Sequence, residues 1–324
     1  MTLRHPGTTL LALALLLAAC QTQTPAPSPT ATNVQPTPTE EPAAMKAPEF
    51  EHQADFNGGD SPFSAPYGID VSPDGQVYVF DTENQRVRVF DAAMEPLFEW
   101  GEEGDGEGQF NSLGFGSLAL DQEGDVFVVD NGNFRVQKFD PDGNFMLAFG
   151  EKGDGSGSFT RAIGIAIGPN GNVFVTDDAV PFVQVFDEDG NFLRQFGGYG
   201  GDPGQFRHAT GITLDSEGRI YVSDYTNRRV QAFDNDGTFL REWTIGKGGS
   251  LPGTPEGLAV DMEGRLFITE YRVGQVEVTT PEGEGLAAFG SGWLQAPVDL
   301  AFGPDGTLYV TDQKANKVQI FAVK

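Results

Sequence analysis

From residue 66 onward the chain alternates apolar and polar positions in runs of five or six residues, and Gly-, Asp- or Asn-containing turns separate the runs. Residues 211–243 display the unit: GITLD, the turn SEG, RIYVSD, the turn YTNR, RVQAFD, the turn NDG and TFLREW. Period-two alternation over such lengths predicts antiparallel strands, and helix-length periodic stretches are absent. The unit recurs six times, from PDGQVYVFDTENQRVRVF near residue 73 to PDGTLYVTDQKANKVQIF at the end. Its first-turn glycines, Gly75, Gly124, Gly171, Gly218, Gly264 and Gly306, are 49, 47, 47, 46 and 42 residues apart, a period typical of propeller blades. A glycine suits the left-handed backbone such a turn requires.

Six four-stranded sheets cannot bury their faces singly. Arranged radially, each packs on two neighbours and only short edges stay open, so the pattern predicts an all-β, six-bladed β-propeller of four-stranded antiparallel blades. The last unit stops after its third strand, KVQIFAVK, and has no partner resembling NFLRQFG. Residues 49–56, EFEHQADF, carry the outer-strand pattern ahead of the first unit. They are expected to complete the sixth blade and close the ring, with Phe50 and Phe56 where the third blade has Phe192 and Phe196.

The N-terminus alters the picture of location. Residues 1–19 read as a bacterial export signal, with Arg4 in a charged start and the apolar run LLALALLLAA. Leu17, Ala18, Ala19 and Cys20 resemble the lipobox of bacterial lipoproteins, which implies acylation of Cys20 and attachment to a membrane from outside the cytoplasm. Cys20 is the only cysteine, so an intramolecular disulfide is excluded. Residues 20–47 are rich in Pro, Thr and Ala and cannot bury a core. As an extended tether they would span on the order of 85 Å at ~3.1 Å per residue. The propeller is then expected over residues 48–324, in the cell envelope. A net charge of −27 argues against a nucleic-acid partner, which needs a basic face.

The repeated phrases, a Gly-Ile start, a DG-type turn, a Val/Ile-Tyr/Phe-Val-x-Asp strand and Asn-x-Arg/Lys-Val-Gln/Arg-x-Phe, resemble the NHL repeat family over the whole of residues 49–324. The resemblance implies the propeller fold and leaves activity open, because NHL-like propellers serve as RNA-binding domains, extracellular sensors and zinc-dependent amidating lyases. Lyases of that kind hold zinc through histidines. Only His52 and His208 remain once the export signal is removed, so a three-histidine site is excluded. A carboxylate-held cation resembling that of six-bladed lactonases stays open, since hard cations take oxygen ligands.

Two groups of residues are candidates for chemistry. The loops ahead of the first strand and between the second and third strands emerge on one face, here called the top, and they carry eleven of the 20 basic residues, Lys247 among them. Tyr225, Arg228, Tyr271 and Arg272 break the repeat there, and Arg161 and His208 join them from neighbouring loops. Aromatic faces beside guanidinium groups suit a protein, peptide or glycan ligand. By contrast, Asp81, Asp130, Asp177, Asp224 and Asp312 with Arg86, Arg135 and Arg229 recur blade by blade, as buried structural pairs would. The second group is Asp70, Glu256 and Asp299 on the inner strands, which a calcium ion in the central channel would bring together. The sequence therefore supports a lipid-anchored, ligand-binding propeller as the leading reading. The alternative is a metal-dependent lyase or hydrolase, acting on a lactone or a peptidyl hydroxyglycine.

Overall fold

The computed structural model describes residues 44–246 and 253–324, and Cys20, the expected export signal, most of the expected tether and Lys247 lie outside the described residues. Residues 44–324 form one compact unit. It is built from six four-stranded antiparallel sheets. The inner strands are Pro66–Val71, Leu118–Leu120, Ala162–Ile167, Ala209–Leu214, Pro255–Val260 and Pro297–Phe302, which number blades 1 to 6. Each inner strand touches those of the adjoining blades, and blade 6 touches blade 1. The first turns follow the expected chemistry, with Gly75 at φ +90° and its five counterparts close to it.

Ring closure is as expected, in the register of the other blades, and only one of the two phenylalanines is placed differently. The strand Phe50–Phe56 pairs antiparallel with Lys317–Val323 and supplies the fourth strand of blade 6. Phe56 lies opposite Val318, as Phe196 lies opposite Val183. Phe192 is opposite Phe186, but the residue opposite the equivalent Phe321 is His52, not Phe50, which corrects the placement expected for Phe50. The reason is spacing: Phe50 and Phe56 are six residues apart, Phe192 and Phe196 four, so only one of the two can coincide. His52 stacks on Trp293 at 5.2 Å, while Phe50 runs further and stacks on Phe289 of blade 5 at 3.8 Å.

Burial is organised between blades. Six apolar clusters lie one at each blade junction, such as Tyr78, Phe80, Val87 and Val89 of blade 1 against Leu118, Val126, Val128 and Phe139 of blade 2. The Gly-rich loops between the early blades add Phe110, Phe159 and Phe206, each fully buried. These phenylalanines fix the loops that carry the top face.

The recurring acid of the second strand works as a buried hub. Asp130 accepts hydrogen bonds from the Asn111 backbone N–H at 2.8 Å, Asn133 Nδ2 at 2.9 Å, Arg135 Nε at 2.8 Å and Gln137 Nε2 at 3.2 Å. Asp81 with Arg86 and Asp224 with Arg229 repeat the pair at 3.1 Å. Asp130→Ala would leave several buried donors and one guanidinium without their acceptor, so a loss of about 3 kcal/mol is expected in urea unfolding. A change below about 1 kcal/mol would mean that water replaces the carboxylate at that point.

Candidate functional site at the mouth of the channel

One position per blade lies on the top loops, and in blades 3 to 6 it lines the mouth. It directly follows the acid that ends each second strand, and it is Thr82, Asn131, Asp178, Tyr225, Tyr271 and Gln313 around the ring. A second position, the residue before the inner-strand glycine or its counterpart, lies one level deeper. There the ring reads Tyr67, Gly116, Ile163, Thr210, Glu256 and Val298. Together these levels enclose a pocket of about 300 Å³ whose lining includes Tyr67, Phe115, Arg161, Asp178, Tyr225, Glu256 and Tyr271.

Its floor is an apolar plug with one acid in it. Tyr67, Ile163 and Val298 pack together with Tyr271 against them. The Tyr67 hydroxyl reaches past blade 6 and donates to Glu256 Oε1 at 2.6 Å. Glu256 is only 7 % exposed. Burial, reinforced by the charges of Asp178 and Asp299 and opposed by the Tyr67 hydrogen bond, pushes its pKa up to about 8. At neutral pH Glu256 is therefore largely a neutral acid.

The wall is formed by an ion pair and two tyrosines. Arg161 binds Asp178 through Nε at 2.7 Å and through a second guanidinium nitrogen. Burial raises the Asp178 pKa and the Arg161 contact opposes that rise. Arg272 donates from Nε to the Tyr225 hydroxyl at 3.2 Å and lies over the Tyr225 ring at 5.8 Å. Of the six top-face candidates, Arg161, Tyr225 and Tyr271 line the pocket, and Arg272 reaches it through Tyr225. Arg228 and His208 are outside the lining, and the His208 ring is engaged with the Thr226 hydroxyl.

Tyr67, Phe115, Asp178 and Gln313 also line the pocket, and the sequence reading missed them. The signal was present: aligning the repeats at those two levels sets Tyr67 against Ile163, and Asp178 against Tyr225.

The channel below does not form the expected calcium site. Glu256, Asp299 and Asp70 occupy the second, third and fifth residues of their inner strands. At ~3.3 Å per residue Glu256 and Asp70 are about 10 Å apart along the axis, whereas calcium needs all its oxygens at about 2.3–2.6 Å. The oxygens are already engaged. Ser117 Oγ donates to Asp299 at 2.5 Å, the Leu300 N–H donates to it at 3.0 Å, and the Val71 and Leu120 N–H groups donate to Asp70 at 2.8 Å each. Among the described residues no group of three or more His, Cys, Asp or Glu side chains could hold a metal ion. Burial pushes the Asp299 pKa up to about 7 and that of Asp70 up to about 6, and both line a cavity of about 260 Å³.

A pH prediction follows from the sign of these shifts. For Glu256 the folded pKa of about 8 lies above the ordinary 4.5, so the folded state retains a proton that the unfolded state releases. Its contribution is full below about pH 4.5 and is lost as pH rises through about 8. Glu256→Gln is expected to raise the melting temperature at pH 9 by several degrees and to leave it nearly unchanged at pH 5. Equal effects at the two pH values would place Glu256 in water.

Comparison with known proteins agrees with this architecture. The NHL repeat profile matches residues 63–90 and 116–139, and a family described as DUF5128, 6-bladed beta-propeller, matches residues 169–246. No curated protein matches the chain in sequence. Similar solved structures include a streptogramin B lyase, at TM-score 0.62 and 18% identity, covering 85% of this chain and 98% of that one. A catalytically inactive virginiamycin B lyase from Staphylococcus aureus with quinupristin gives TM-score 0.60 and 20% identity over 84% of this chain and 85% of that one. A gluconolactonase-like propeller gives 0.62 and 18% over 87% and 93%. Identities this low carry the fold and not the activity. The repeats, the closed ring and the profile matches together show a six-bladed β-propeller that carries NHL repeats.

Proposed function

We propose that this protein is an extracytoplasmic binding module, held at a membrane of the bacterial envelope by acylation of Cys20, whose propeller takes a protein, peptide or glycan ligand at the top mouth. The observation that carries the reading is the convergence of Arg161, Tyr225, Tyr271 and Glu256 on one pocket while the rest of the repeat stays regular. Concave sites with aromatic walls and a few placed polar groups are typical of ligand recognition. The export-signal pattern of residues 1–19, the lipobox-like Cys20 and the Pro/Thr-rich composition that follows it support the location.

Peptide and glycan arrays probed with the full chain test this reading. Binding that falls at least about tenfold in Tyr225→Ala/Tyr271→Ala, equivalent to about 1.4 kcal/mol, is the expected result. Binding indifferent to both substitutions moves the site elsewhere. A lyase or hydrolase is the second reading, favoured by Glu256, whose raised pKa suits a general acid at neutral pH. Hydrolysis or elimination lost in Glu256→Gln would establish it.

A further inference from the structure

We propose that the mouth pocket binds an organic ammonium group, a protonated or quaternary amine, seated among Tyr67, Phe115, Tyr225 and Tyr271 with Glu256 as its counter-ion. The inference rests on the binding reading above and names the chemistry of the ligand's anchoring end.

Three features of the pocket point to a cation. Its walls offer four aromatic rings from four segments, and Tyr67 and Phe115 already stand nearly perpendicular at 6.0 Å. Rings set around a small cavity attract a cation through their negative faces, and the attraction grows once water is excluded. The floor supplies a carboxyl group with no basic partner: among the described residues no Lys, Arg or His pairs with Glu256, whose hydrogen-bond donor is the neutral Tyr67 hydroxyl. A buried carboxyl in that state lacks the opposite charge that would ionise it.

Of the remaining charges, those nearest Glu256 suit the same occupant. Arg161 is committed to Asp178 through two nitrogens, so the pair adds little net charge. Arg272, bonded to the neutral Tyr225 hydroxyl and lying over that ring, keeps its positive charge at the edge of the pocket and outside its lining. Asp299, from blade 6 and one strand position below Glu256, adds negative potential beneath the floor. An anionic group lowered to Glu256 would meet these carboxylates, and a neutral group would leave the proton in place. An ammonium group ionises Glu256 and displaces its proton toward solvent.

That displacement is the diagnostic. Choline binding to the full chain is measured by isothermal titration calorimetry at pH 7 in two buffers of different ionisation enthalpy, with ethanolamine as the smaller cation and 3,3-dimethyl-1-butanol as the neutral isostere of choline. The expected result is saturable binding of choline or ethanolamine, release of close to one proton per ligand at pH 7, and affinity rising by up to tenfold per pH unit below about pH 8 and flat above it. Glu256→Gln, which keeps shape and the Tyr67 contact, should weaken the cation at least about tenfold and abolish proton release, and the neutral isostere should bind at least about tenfold more weakly than choline. If neither cation binds up to about 50 mM, or if the isostere binds as well as choline, the inference is overturned. A Tyr225- and Tyr271-dependent ligand from the arrays would then keep the binding reading alive, so the two failures are distinguishable.

Discussion

A chain that begins at Asn57 is expected to lose the monomeric propeller. Deletion of Phe50–Phe56 strips the outer strand from blade 6 and leaves Lys317–Val323 as an open edge. The loss extends past that sheet. Phe56 packs edge-on against Phe63 at 5.8 Å and Phe90 at 5.1 Å at the junction of blades 6 and 1, and Phe50 stacks on Phe289 at the junction of blades 5 and 6. Two junctions and one sheet therefore fail together. An unpaired strand edge beside exposed apolar surface also invites pairing with another chain. The expected cost is on the order of the whole stability of a domain, ~5–15 kcal/mol. Light scattering after size exclusion should find oligomers or aggregate instead of a monomer, and the cooperative thermal transition should vanish. A monomer with the wild-type melting temperature would show that three strands suffice in blade 6. Phe56→Ala is the graded version, with an expected loss of about 3 kcal/mol.

The closing strand also marks where sequence reasoning stops. Its existence followed from counting strands, since the sixth unit lacked one and residues 49–56 had the spare pattern. The placement of Phe50 did not follow, because Phe50 and Phe56 are six residues apart and Phe192 and Phe196 four, so only one of the two could match and the partners decide which. His52 won the Phe192 position through Trp293 and Phe321, which belong to a loop and a strand at the other end of the chain. The site behaved similarly. Repeat-breaking residues were legible, and Tyr225 and Tyr271 line the pocket. The depth of Glu256 was legible only by aligning it with Tyr67 and Ile163 ahead of the inner-strand glycine; taken alone, a carboxyl on an inner strand reads equally as a channel ligand or a mouth acid until its level along the axis is known. Tyr67 fixes that level by crossing from blade 1 to bond it. The buried Phe110, Phe159 and Phe206 were hidden for a different reason: they sit in Gly-rich loops, where strand periodicity gives no sign of burial.

Gly211→Ala is expected to prevent stable folding for a reason that has nothing to do with turns. A Cβ at Gly211 would lie 2.0 Å from the carbonyl oxygen of Glu256 and 2.9 Å from the Gly257 Cα, so the inner strands of blades 4 and 5 would have to part. Gly164 meets the Thr210 carbonyl at 2.3 Å and Gly257 the Val298 carbonyl at 2.4 Å, which makes this close approach a property of successive blades. Side chains at the corresponding step occur in blades 2 and 6, as Ser117 and Asp299, and the backbone differs in both. Blade 2 begins its inner strand only at Leu118, and in blade 6 Asp299 pairs directly with Thr311, whereas Gly211 falls inside the irregularity between Ala209 and Ile212. A methyl group in blade 4 has no such escape, and parting the strands would open the cluster of Tyr221, Trp243, Leu258 and Ile268 between the two blades. A loss of about 5 kcal/mol or more is expected, near the full stability of many domains. Urea unfolding followed by Trp fluorescence measures it, with Gly201→Ala as the control, since nothing lies within 4 Å of that Cβ and the change should stay within about 0.5 kcal/mol. A Gly211→Ala protein within about 1 kcal/mol of wild type would mean that the strands around the axis can yield. The carbonyl that the methyl group strikes belongs to Glu256, so even a surviving variant should shift the mouth acid and lose the pH-dependent difference expected of Glu256→Gln.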